Sequence, residues 1–210
     1  PVPAPAAVST SAANAEEYES VLIKVTGATC ASGIAGTYVV NDGSGNLTVY
    51  KSIFTGLTLE VGRKYDITGV LGWFNTSSIY QLYPRSAADV YAYSNDATLL
   101  TFTLGGQDVL ALSGIVVANP ATDPGATLHV DNFTGFAGIV AAATSAKATF
   151  AITLNGATVD PASYATQALA DGDVVVATVT AEDGTVKHYK VTLSGENRTL
   201  TVTAPAGGES

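Results

Sequence analysis

The sequence predicts an all-β chain: a small five-stranded barrel followed by a β-sandwich. Three observations carry that expectation. The first is the stretch Thr37–Lys51, where two β-rich runs flank Asp42-Gly43-Ser44-Gly45-Asn46. Gly43 and Gly45 accept positive φ without a steric cost, and Asp42 and Asn46 can bond their own backbone, so the stretch reads as a hairpin with Tyr38, Val40, Leu47 and Val49 facing inward. The second is a series of short Val/Ile/Leu/Thr runs after residue 94, separated by Asn155-Gly156, Asp171-Gly172 and Asp183-Gly184. Regular short strands at that spacing indicate a sandwich. The third is a shift in composition: eleven of the 17 aromatic residues lie before residue 94.

The chain has 210 residues, enough for one large or two small domains. Hydrophobic residues make up 47% and charged residues 13%, against a usual charged share of about 25%. The surface is therefore expected to be mostly Ser, Thr, Asn, Gly and Ala. No apolar run approaches the roughly 20 residues of a membrane-crossing helix. Met is absent and the sequence begins at Pro1, from which a mature or trimmed chain is expected; the low charge and the low-complexity N-terminal run add the expectation of a secreted or cell-surface protein. The single Cys30 excludes an intrachain disulfide framework and reads as a buried small hydrophobe.

Residues 1–17 form no core of their own: Pro1, Pro3 and Pro5 favour an extended start, and Ala6–Ala15 is small and mildly β-compatible. Residues 18–93 hold the barrel. Val21, Ile23 and Val25 alternate with polar or outward positions as a first strand, and the hairpin supplies two more. Lys64–Leu71 is a fourth, in which Gly69 predicts a bulge or sharp bend; Ser78–Tyr83 is a fifth, stopped by Pro84. Five strands in about 75 residues suit a small, partly open barrel. Residues 94–203 hold the sandwich, with strands expected at Thr98–Leu104, Ile115–Val117, Thr127–Val130, Thr149–Leu154, Val174–Thr180, Val186–Leu193 and Thr199–Val202. Residues 204–210 are a Pro/Gly tail.

Two resemblances sharpen this. Tyr38-x-x-x-Asp42-Gly43-Ser44-Gly45, Val49-Tyr50, Leu59-x-Val61-Gly62-x-x-Tyr65-x-Ile67-Thr68-Gly69 and Tyr80-Gln81-Leu82 resemble the OB-fold domains of secreted Bacteroidetes-type proteins, over about residues 18–92. Such domains often accompany nucleases or surface proteins. Val179–Leu193, with its Glu-Asp-Gly turn and Tyr-x-Val strand, resembles the last hairpin of cadherin-like or Ig-like bacterial sandwich modules. The resemblances imply an OB-like β-barrel followed by an Ig-like sandwich, through turn and core positions rather than through an active site.

Charge and motifs exclude more than they assign. Residues 18–93 balance five bases against five acids, whereas residues 94–203 set four bases against ten acids. Neither is the basic footprint of a phosphate binder. The only histidines, His129 and His188, fall on predicted strand surfaces, and no Gly-x-Ser-x-Gly is present, so no nucleophile and base are paired. Cys and His are too few for structural zinc. Asp42, Ser44 and Asn46 alternate as oxygen donors, as do Asp171 and Asp173, but without an EF-hand pattern; turns explain both, and no metal or cofactor is expected. The acids are dispersed, so the nuclease association transfers to no residue. Asn46-Leu47-Thr48, Asn75-Thr76-Ser77, Asn132-Phe133-Thr134 and Asn197-Arg198-Thr199 match the N-glycosylation pattern.

Two positive expectations remain. Trp73, Phe74, Tyr80 and Tyr83 form a candidate stacking platform, with Lys51, Arg63, Lys64 and Arg85 nearby; sugar stacking depends less on charge, which ranks a glycan ahead of nucleic acid. Ala6, Ala7, Val8, Ser9, Thr10, Ser11 and Ala12 are expected to pair with a sheet edge of a neighbouring subunit, giving a non-enzymatic structural protein that self-associates into a homopolymer, of filament or surface-layer type. The competing expectations are a tail folded back on its own barrel, and a glycan- or oligonucleotide-binding accessory region of a larger secreted hydrolase.

Overall fold

The structure is a computed structural model and describes residues 3–131, 133 and 136–196, Glu196 by its backbone only. The expected strand at Thr199–Val202 and the C-terminal tail lie outside the described residues. The chain divides into two compact units, Pro1–Asn95 and Asp96–Ser210.

The first unit contains β1 (Ala6–Ala7), β2 (Leu22–Ile34), β3 (Thr37–Asn41), β4 (Asn46–Tyr50), β5 (Lys64–Phe74), β6 (Ile79–Tyr83) and β7 (Val90–Ala92). Five of them form a barrel in the order β2-β3-β4-β6-β5, closed by pairing of β5 back onto β2. All barrel pairs are antiparallel except β4–β6. This is compatible with an OB-like Greek-key barrel. The barrel is closed rather than partly open because β2, at 13 residues, is long enough to serve β5 with one half and β3 with the other. Two register shifts bend it, one between Val25 and Ala28 and one between Cys30 and Ser32.

Alternation fills the interior. In β5, Tyr65, Ile67 and Leu71 are buried while Lys64, Asp66, Thr68 and Val70 lie outward. In the central hairpin Tyr38 pairs with Val49 and Val40 with Leu47, and all four face the core as expected. Gly69 is not a bulge: its register with Ile23 is unbroken. It is glycine because a Cβ there would lie 2.6 Å from the carbonyl oxygen of Tyr83. The bulge falls instead at Gly27, which has φ +62° and is pinned by Asp66. Asp66 also takes the Lys24 ammonium at 2.8 Å and the Tyr93 hydroxyl at 2.9 Å. Burial pushes its carboxyl up, but these bonds outweigh it and hold the group below its ordinary range.

The second unit contains β8 (Leu99–Leu104), β9 (Gln107–Asp108), β10 (Val116–Val117), β11 (Ala126–Asp131), β12 (Ile139–Ala143), β13 (Thr149–Leu154), β14 (Ala157–Thr158), β15 (Val174–Thr180) and β16 (Val186–Glu196). One sheet runs β12-β8-β9; the other runs β14-β13-β15-β16 and continues from β16 to β10 and β11. Phe102, Leu104 and Ile139 of the first sheet share a core with Ile152, Val175, Val179, Val191 and Leu193 of the second. The buried Tyr189 of the second sheet is tied to the first through its hydroxyl oxygen, which accepts from the Leu99 amide at 3.2 Å. The Asn155-Gly156 turn joins β13 to β14 with φ of +52° and +83°, and Asp183-Gly184 joins β15 to β16, as the turn chemistry predicts.

Candidate ligand-binding end of the barrel

Strand β5 outruns the core it helps to form. Its inward side continues from Leu71, fully buried, to Trp73, which is 40% exposed. The partner strand does the same: Leu82 pairs with Leu71 inside, and Tyr80 pairs with Trp73 one step beyond. The two rings meet edge to face with centroids 4.8 Å apart and planes at 62°. Phe74 points to the opposite side of β5 and is 39% exposed. The turn at residues 75–78 then closes on Phe74, whose carbonyl accepts from the Ser77 amide at 3.3 Å. Ser78 holds φ +51° there.

The four aromatics expected to form one platform fall into two groups. Trp73 and Tyr80 cap the barrel end on its inner side. Tyr83 and Phe74 lie on the outer side, and Tyr83 pairs with Tyr50 of β4 at 6.4 Å and 71°. The Tyr83 ring covers Gly72, whose absent Cβ would stand 2.8 Å from the ring. Its hydroxyl donates to Gln81 Oε1 at 2.9 Å. Tyr50 was legible only as a hairpin residue; the parallel β4–β6 register, which no local pattern announces, makes it Tyr83's neighbour.

Two of the expected basic neighbours are committed elsewhere. Arg85 grips Asp89 with Nε at 2.8 Å and Nη2 at 2.7 Å, and the Arg85 amide adds a third bond at 2.9 Å. That bidentate pairing, against burial, holds the Asp89 carboxyl below its usual range. Arg63 pairs with Glu60 at 3.2 Å and flanks a cleft of about 380 Å³ under the 51–63 connection, lined by Phe54, Leu57, Tyr65 and Val90.

The N-terminal segment lies on its own barrel. Ala6 and Ala7 pair in parallel with Ile23 and Lys24, along the edge of β2 that faces away from β5. The Val8 amide continues the ladder to the Lys24 carbonyl at 3.1 Å. Thr10 and Ala13 are then fully buried. The partner of Thr10 is the hairpin turn that organises the sequence. Asp42 Oδ2 accepts from the Thr10 amide at 3.0 Å, and its Oδ1 from the Thr10 hydroxyl at 2.6 Å. Ser44 adds its amide at 3.0 Å and its hydroxyl at 2.6 Å to Oδ1. Ser11 donates its amide to Ser44 Oγ at 3.0 Å, and Asn14 Nδ2 reaches the Asn46 carbonyl at 2.9 Å. Burial pushes the Asp42 carboxyl up, but the bonds from Ser44 and Thr10 overcome it and hold the group well below the carboxylate range. The segment Ala6–Ala12, expected on a neighbouring subunit, docks in this way on its own chain.

The same contacts account for the oxygen-rich turns. Asp42 and Ser44 serve the tail, and Asn46 Oδ1 accepts from Asn41 Nδ2 at 2.8 Å. Asp173 accepts from Asn155 Nδ2 at 2.7 Å and the Ala170 amide at 2.8 Å, and Asp171 from the Gly195 amide at 2.8 Å. Among the described residues no three His, Cys, Asp or Glu converge as metal ligands. His188 pairs across strands with the Thr178 hydroxyl at 2.9 Å, and His129 is exposed on β11. Cys30 is buried, and burial pushes its thiol up. Of the glycosylation patterns, Asn75 is exposed in the 75–78 turn, Asn46 is held by Asn41, and Asn132 and Asn197 lie outside the described residues.

No protein-family model matches the chain, and no curated protein matches it. Among the described residues no helix is long and apolar enough to cross a membrane.

Proposed function

We propose that this is a non-enzymatic, secreted or cell-surface protein whose barrel unit binds a glycan at the aromatic end of β5 and β6. The observation that carries the reading is Trp73, held about 40% exposed beside the 75–78 turn with its ring against Tyr80. A folded chain gains by covering such a ring, so an indole left open at a strand end is best explained by a ligand that stacks on it. OB barrels use the loop between their fourth and fifth strands for oligosaccharides and oligonucleotides, and the 75–78 turn occupies that place. A glycan is favoured over an oligonucleotide because Arg63 and Arg85 are tied to Glu60 and Asp89. In this reading the chain is an accessory region of a larger secreted hydrolase or of a surface protein, with the sandwich as its spacer. Affinity electrophoresis through gels containing soluble polysaccharides tests it: retardation of the wild type and free migration of Trp73→Ala are expected, and equal migration of both in every polysaccharide would remove the reading.

A second reading, the self-assembling filament or surface-layer subunit, draws on the tail. Its dock consists of a two-residue ladder and side-chain hydrogen bonds, contacts that the tail of another copy could make equally well. Ser11→Cys with Ser44→Cys separates the cases on a non-reducing gel. Covalent multimers favour exchange between subunits; a cross-linked monomer alone leaves the tail at home and removes assembly by this route.

A further inference from the structure

The charge around the aromatic end of the barrel specifies what kind of sugar it takes. The segment entering β2 carries Glu16, Glu17 and Glu19, all exposed, around a single 3-10 turn at Glu16–Tyr18. That turn is tied to the same end of the barrel as Trp73. The Ser20 amide donates to the Leu71 carbonyl at 2.8 Å, and the Leu71 amide returns to the Val21 carbonyl at 3.1 Å, two residues before Trp73 in β5. Tyr18 and Tyr80 both pack, half-buried, on the barrel core. Burial pushes the Tyr80 hydroxyl up, and the carboxylates of Glu19 and Glu16 lie close enough to push it further. Glu17 acts in the same direction on Tyr18. The charged groups that act on Tyr80 and Tyr18 are thus carboxylates.

An electron-rich ring face and flanking carboxylates are both complementary to a cation, and the two effects reinforce each other where the rings exclude water. Neutral sugars gain only the stacking, and acidic sugars or phosphates are repelled. We propose that the aromatic end formed by Trp73 and Tyr80, with Glu16 and Glu19 on its rim, takes an amine-bearing saccharide, a polymer with free protonated amino groups, in preference to neutral or acidic glycans. The proposal rests on the glycan reading above and adds the ligand's charge to it.

Trp73 is the only tryptophan of the chain, so its fluorescence reports this site alone. The full chain is titrated with glucosamine oligomers and, separately, with N-acetylglucosamine oligomers of the same length. Acetylation removes the charge and keeps the ring. The expected result is about tenfold tighter binding of the free amine, as one desolvated cation–π or carboxylate contact would give. Raising the salt concentration should reduce that margin, and Glu16→Gln with Glu19→Gln should bring the two oligomers to equal affinity with the melting temperature unchanged. Equal affinity for the two oligomers would overturn the amine preference and leave the glycan reading standing. A lysine oligomer that alters Trp73 fluorescence at the same concentrations would also overturn it, since charge alone would then suffice. If neither sugar oligomer nor cello-oligosaccharides alter Trp73 fluorescence, both the preference and the glycan site are lost.

Discussion

Replacing Thr10 by valine keeps the side chain's shape and removes one oxygen, which makes it the cleanest probe of the tail. Thr10 is fully buried, so the loss is not made good by water. Its hydroxyl lies 2.6 Å from Asp42 Oδ1 and 2.6 Å from the Gly45 carbonyl, and accepts from the Asp42 amide at 3.2 Å. A hydroxyl has one proton to give, so one of the two short contacts is a donated bond at any moment. A bond to a charged acceptor is worth about 1.5–3 kcal/mol, and an orphaned buried amide costs about 1–3 kcal/mol. The expected loss is about 2–4 kcal/mol, with a ceiling: once residues 6–14 undock, their polar groups return to water and the loss stops growing. Hydrogen exchange is therefore the assay. The amides of Val8, Thr10 and Ala13, all bonded in the docked state, should exchange about a hundredfold faster in Thr10→Val, while amides of β13, β15 and β16 keep their protection. Acid should act on the same contact. The folded Asp42 carboxyl is held below its unfolded value of about 3.9, so its stabilisation is complete above that pH and is lost as pH falls through the folded value. Wild-type tail protection should fall with acid below about pH 4 and that of Thr10→Val should change less. Unchanged exchange in the variant at neutral pH would refute the clasp.

Other perturbations separate the two units and the two roles of the barrel end. Gly69→Ala forces a Cβ to within 2.6 Å of a backbone oxygen and should cost the barrel about 1–3 kcal/mol in denaturant melts, leaving the sandwich transition in place. Phe102→Ala empties a fully buried ring site and should cost the second unit about 3–5 kcal/mol, seen as an early transition that spares the barrel's near-ultraviolet signal. Trp73→Ala should weaken saccharide binding by about 1–3 kcal/mol, the range of a ring-stacking contact, in calorimetric titrations, while the barrel still melts cooperatively, lowered by the loss of the ring contact with Tyr80.

The fold was legible where local pattern and tertiary environment agree. The hairpin at Thr37–Tyr50, the alternating β5 and β15, and the Asn155-Gly156 and Asp183-Gly184 turns are two-sided signals, with residue type and spacing pointing the same way. Strand β12 was not read because its Ile-Val-Ala-Ala-Ala run has weak strand propensity; it is a strand through its pairing with β8, a long-range effect. Gly69 was misread for a related reason: a glycine in a strand marks either a bulge or a close approach, and only the position of the Tyr83 carbonyl decides between them. At the barrel end, the exposure of Trp73 follows from where the core stops, and the partnership of Tyr83 with Tyr50 from a parallel register; neither is written in local sequence. The tail is the sharpest case. Thr10 is an ordinary residue of a low-complexity run until Asp42 and Ser44 are brought to it, and then it is fully buried.

The central claim, that saccharide binds at the end of β5 and β6, is tested most directly by the indole N–H of Trp73. The chain has one tryptophan, so its proton–nitrogen spectrum holds one such peak. On titration with glucosamine oligomers that peak is expected to shift, together with the amides of residues 73–80 and of residues 16–19. Shifts centred instead on the cleft at Phe54, Tyr65 and Val90, with the indole peak unmoved, would contradict the claim and place binding elsewhere on the barrel.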